Sequence, residues 1–99
     1  VTPRLRLHPI AEAELVEAMR WYADRGTGLG DALEASFSEM IDMISRNPRA
    51  YPVMAGNLRR AVLKRFPYNV VYSITEGEIQ VVAFYHGRRD ISNLTTRAF

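Results

Sequence analysis

Leu5 and Leu7 alternate with Arg4, Arg6 and His8, the period-two pattern of a short half-buried strand that Pro9 stops or redirects. From Ile10 the period lengthens. Ile10, Ala11, Leu15, Ala18, Met19 and Tyr22 recur at spacings of three and four, while Glu12, Glu14, Glu17 and Arg20 fall largely elsewhere. This predicts a helix with Pro9 at or near its start, and the early carboxylates favour that end electrostatically. Tyr22 is expected to close the core against the sheet. Trp21, next to an inward position, is expected at the border of the helical layer or under a partner. Three glycines between Gly26 and Gly30 make a continuous helix expensive. Leu33, Phe37, Met40, Ile41 and Ile44 then form a second apolar stripe facing away from Asp31, Glu34, Glu39 and Asp42, and Asn47-Pro48 ends it. Two such helices joined by a short link predict an αα-hairpin, since neither leaves its stripe in water.

Arg49 to Asn57, with Pro52 and Gly56, reads as irregular connection. Leu58 to Arg65 is the next strand, of ambiguous facing, interrupted at Phe66-Pro67. Tyr68, Val70, Tyr72 and Ile74 then share one face and Asn69, Val71, Ser73 and Thr75 the other, which predicts a half-exposed strand. Glu76-Gly77 fits a tight reversal, and Glu78 to His86 is apolar on both faces, as a covered central strand would be. The expectation is an α+β fold of order β-α-α-β-β-β: an N-terminal strand and an αα-hairpin packed on a small twisted, mainly antiparallel sheet.

The chain of 99 residues is one domain's worth of sequence, and its 47% hydrophobic content is that of a globular protein. Without Cys there is no disulfide framework and no thiol nucleophile, which suits a reducing cytoplasm. The N-terminal stretch lacks the form of a signal peptide, and no apolar run has the length of a membrane span. The net charge of +2 is unevenly placed. Residues 1–57 carry −2 and residues 58–99 carry +4, and twelve of the thirteen basic residues are Arg, whose planar, many-donor group suits phosphate and carboxylate.

Several chemistries are set aside. There is no phosphate-binding loop, and the glycines follow a helix instead of a first strand, against a dinucleotide fingerprint. With only His8 and His86 and no Cys, a structural zinc site is not expected, and no metal or other cofactor is implied. What remains is a cationic set. Arg59, Arg60, Lys64 and Arg65 flank one strand, Arg88 and Arg89 follow the last, and adjacent strands would gather them at one sheet edge. Tyr85 and His86 stand beside this set, with the imidazole a candidate acid or base. Asp90 is placed to pin one guanidinium.

The Leu5 to Pro9 opening, Trp21-Tyr22, Gly28-Leu29-Gly30, Asn47-Pro48 with Tyr51-Pro52, Arg59-Arg60 to Phe66-Pro67-Tyr68, Val71-Tyr72 and His86-Gly87-Arg88-Arg89-Asp90 occur in one order over nearly the whole chain. In that order and spacing the chain resembles the RelE/ParE superfamily of bacterial type II toxins. The resemblance implies a cytoplasmic toxin that forms a hetero-oligomer with a cognate antitoxin. The superfamily divides by target. RelE-like members cut mRNA on the ribosome, which here would employ Lys64, Arg88, Arg89 and His86. Against this, Asn69 stands where that branch usually has Arg, and no Tyr follows Tyr85. ParE-like members poison DNA gyrase without catalysing a reaction, and the His86 to Asp90 ending is closer to that branch. The implied target-binding residues are Arg59, Arg60, Arg65, Asn69, Tyr85, His86, Arg88 and Arg89, with Asp90 and Tyr22 in support. A third alternative is a degenerate member that binds antitoxin without toxicity.

Overall fold

A computed structural model describes residues 4–88 and residue 94. The elements are β1 (Arg4–Leu7), α1 (Pro9–Ala23), α2 (Leu29–Arg46), β2 (Val53–Ala55), β3 (Leu58–Val62), β4 (Tyr68–Thr75) and β5 (Glu78–His86). They form an α+β fold in which the helical hairpin lies on one face of a five-stranded sheet ordered β1-β5-β4-β3-β2. Only the β1–β5 pair is parallel, and the hairpin forms part of the long connection between them that parallel pairing requires.

Local chemistry sets the helix boundaries. His8 is extended, its Nδ1 accepts the Ile10 amide at 3.0 Å, and Pro9 takes the first helical position, where its missing N–H costs nothing. Gly28 caps the start of α2 with φ +80°. Gly30, expected in the break, lies inside the first turn of α2. A Cβ there would stand 2.7 Å from the Met19 carbonyl, so its absence lets the helices approach closely. Ala11, Leu15 and Ala18 of α1 and Leu33, Phe37, Met40 and Ile44 of α2 meet Ala61, Val70, Tyr72, Ile79, Val81 and Phe84 of the sheet. Ile10, expected in the α1 stripe, is instead exposed.

Three expectations for the sheet change. The segment read as irregular contains β2, a three-residue edge strand too short for periodicity to reveal. The strand from Leu58 stops at Val62, before a turn closed by the Leu63 and Tyr68 amides. The strand expected to be half-exposed, β4, is covered on both faces, because Leu58, Val71, Val82, Ala83, Tyr85 and Leu94 form a second cluster opposite the helices. A bulge makes this possible. Val71 pairs with Ala83 and Tyr72 with Val81, so Val82 is supernumerary; Val82 and Ala83 turn to the second cluster while Val81 and Phe84 face the helices. The covered β5 and the tight reversal stand as expected, with φ +53° at Glu76 and +74° at Gly77.

Candidate functional site

Strand register decides where the basic residues go. Directly paired residues share a sheet face, and neighbours along a strand do not. Arg59 pairs with Tyr72 on the helix side, whereas Arg60 pairs with Val71 on the opposite side. The gathering of all the late cations at one edge therefore does not occur. Arg59 is drawn inward: its Nη1 donates to the carbonyls of Tyr51 at 2.7 Å and Arg49 at 3.2 Å, tying down the segment before β2. Beside it the Tyr72 hydroxyl donates to the Pro48 carbonyl. Burial pushes the Tyr72 phenol up to about 12, against the Arg59 charge, which pulls it down, and with a further push from Tyr51.

A smaller cationic group does form. Tyr68 pairs with His86, and the Gly87 amide donates to the Pro67 carbonyl at 2.8 Å, so the β3–β4 turn and the end of β5 lie side by side. This places the exposed Lys64, Arg65 and Arg88 at one end of the sheet. Lys64 and Arg65 stand over a shallow hollow of about 80 Å³ against Glu39, Met40 and Met43 of α2. Arg60 lies exposed on the sheet face away from the helices. Among the described residues none of these four cations is in an ion pair. Arg89 and Asp90 lie outside the described residues.

The remaining expected site residues divide between the faces. Asn69 and Tyr85 pair on the face away from the helices, beside Val62, and both are buried. Among the described residues the Tyr85 hydroxyl has no hydrogen-bond partner. His86 is exposed at the other face, and its Nδ1 accepts the Arg88 amide at 3.2 Å. A neutral imidazole with Nδ1 so engaged carries its proton on Nε2, so in that tautomer the other nitrogen is a donor. Of the two expected proton acceptors, the phenol is buried and the imidazole nitrogen engaged, and among the described residues the carboxylate beside Lys64 and Arg65 is that of Glu39.

On the helix side the end of the sheet opens into a groove of about 390 Å³ between α1 and the ends of β4 and β5. Trp21, Tyr22, Tyr68 and His86 line it together with Glu14 and Glu17. Tyr22 is half-buried, edge-on to Phe66 at 5.0 Å, as expected of a residue closing the core. The Tyr68 phenol is raised by burial, then by Tyr22 and by the Glu17 charge. Sequence reasoning missed Glu14, whose Oε1 accepts the Phe84 amide at 3.1 Å. Nothing marks it among the acidic residues of α1. It also missed Arg25, just past the end of α1, whose guanidinium lies 3.4 Å from the Trp21 ring centre, although a cation four residues after an aromatic is a readable signal. Among the described residues no three potential metal ligands converge, and no helix is long and apolar enough to cross a membrane.

Comparison with known proteins agrees with this architecture. The model of the ParE toxin of type II toxin-antitoxin systems matches residues 5–91. Toxin ParE2 of Mycobacterium tuberculosis, in two strains, is 30% identical over 91 residues, covering 88% of this chain and 84% of the relative. The fold is shared with a solved chain of the chromosomal ParDE system from P. aeruginosa, with a TM-score of 0.71, 20% identity and coverage of 86% and 96% of the two chains. A mutant of the E. coli toxin RelE in the free state shares it at a TM-score of 0.58 and 14% identity, over 99% of this chain and 95% of that one.

Proposed function

The chain belongs to the ParE toxin family of type II toxin-antitoxin systems, and we propose that it arrests growth by binding DNA gyrase without catalysing a reaction itself, under the control of a cognate antitoxin. The observation that carries this reading is the end of the sheet where Lys64, Arg65 and Arg88 stand exposed and free of ion pairs among the described residues. Such a group attracts carboxylate or phosphate, and Glu39, the carboxylate that shares the hollow with Lys64 and Arg65, forms no ion pair with them among the described residues. Arg60 extends the cationic surface onto the face away from the helices.

The same geometry speaks against RNA cleavage. Attack by a ribose hydroxyl requires a group to take its proton beside cations that stabilise the developing phosphoryl charge. Here Tyr85 is buried, Nδ1 of His86 is engaged, and Asn69 is neutral and buried. The antitoxin is proposed to cover the exposed apolar side chains of the hairpin, Ile10, Val16 and Leu29, and to place acidic residues against the cationic end.

The purified protein should accumulate cleaved DNA in a gyrase assay, and antitoxin should abolish the effect. Positioned mRNA cuts in a translation extract, with a clean gyrase assay, would overturn the proposal.

A further inference from the structure

The groove beside α1 has the opposite character from the cationic end. Trp21 is 49% exposed, and an open tryptophan on an otherwise well-packed helix is the kind of surface that a partner covers. Its ring meets Tyr22 edge-on at 4.9 Å, and Tyr22 in turn meets Tyr68 at 6.2 Å and 62°, so successive walls are steeply inclined to one another. Two carboxylates share the lining of the groove. Glu14 is held in place by the Phe84 amide, and Glu17 is exposed, with no cation in ion-pair range among the described residues.

Aromatic faces attract cations through their quadrupole, and a carboxylate beside them adds charge and two acceptors in one plane. A planar guanidinium satisfies both requirements, stacking on a ring while donating in a fork, and it sheds water more easily than an ammonium. The molecule already shows this affinity. The Arg25 guanidinium rests on the Trp21 indole, and Arg25 is not one of the residues lining the groove.

We infer that the groove receives an arginine side chain of a partner polypeptide, its guanidinium laid against the aromatic walls and paired with Glu17. Charge complementarity selects this occupant: an acidic side chain is repelled by Glu14 and Glu17, and a neutral one leaves Glu17 without a partner. A partner that spans this region then presents an arginine to the groove and acidic residues to Lys64, Arg65 and Arg88, which fixes its direction across the sheet end. The inference does not depend on gyrase being the target.

The test uses the single tryptophan of the chain as a reporter. The full chain is titrated with N-acetyl-argininamide and with its neutral isostere N-acetyl-citrullinamide, following Trp21 emission and the NMR signals of Tyr68 and His86. A ligand this small should saturate at roughly millimolar concentration. The citrulline compound should bind about fivefold more weakly. Glu17→Gln, a change at an exposed position, should weaken the arginine compound about two- to fivefold without altering thermal stability. Trp21→Ala, read at Tyr68, should abolish saturation. Equal binding of the two compounds, absence of saturation, or indifference to both substitutions would each overturn the assignment.

Discussion

The two faces of the sheet bury their residues to similar depth but on different terms. On the helix side, two amphipathic helices supply a continuous core, and the buried hydroxyl of Tyr72 is satisfied by the Pro48 carbonyl. On the other side, a smaller cluster around Val71, Val82 and Ala83 buries the Tyr85 hydroxyl with no partner among the described residues, while Arg60 and Val62 remain exposed. The first face is built for stability. The second keeps an unmet polar group and exposed charge, and polar groups left unmet cost stability that the helix side must supply.

Substitutions can break this contrast, beginning with the core. Phe84→Ala removes a ring stacked on Tyr68 at 4.8 Å and edge-on to Phe37 at 5.3 Å, and should cost about 3–5 kcal/mol in denaturant titration. A loss below 1 kcal/mol would show that the helix side is not the main store of stability. The next effect is alkaline. Tyr72 holds its proton up to about 12 in the folded chain against an ordinary 10.0, so its stabilising contribution is complete below pH 10 and is lost as pH rises towards 12. The loss should amount to roughly 2–3 kcal/mol, and Tyr72→Phe should remove this slope while costing about 1 kcal/mol at neutral pH.

The same chemical change on the opposite face should have the opposite sign. Tyr85→Phe deletes a hydroxyl that has no partner among the described residues and should stabilise the protein by about 1 kcal/mol; destabilisation would mean that the two faces do not differ as described. The smallest effect lies away from both faces, in the reversal between β4 and β5. Glu76 is a non-glycine residue at φ +53°, and Glu76→Gly should raise stability by about 0.5–1 kcal/mol, read as a shift of the denaturant midpoint at unchanged slope.

The pattern of apolar positions carried most of the architecture because the helices and β5 are long enough to show their periods. Leu33, Phe37, Met40 and Ile44 declare α2, and the unbroken apolar run of β5 declares its covered faces. Strand β2 has three residues and no period to read. The covering of β4 depends on residues such as Leu94 that are distant in sequence, and its alternation resembled that of a half-exposed strand because Asn69, Ser73 and Thr75 are polar. The candidate cationic site was legible only in part. Adjacent strand residues point to opposite faces, so Arg59 and Arg60 were never able to share a surface once both lay in β3. Lys64, Arg65 and Arg88 fall at the same end of the sheet for a different reason, the pairing of a turn with a strand end, which needs register and not composition.

The account rests on that cationic end meeting the target. The direct measurement is the affinity for purified gyrase of the native chain and of a Lys64→Gln, Arg65→Gln, Arg88→Gln triple variant, with unchanged circular dichroism, across a range of salt. Affinity should fall about tenfold or more in the variant, and its dependence on salt should flatten. Equal affinity and equal salt dependence in the two proteins would contradict the account.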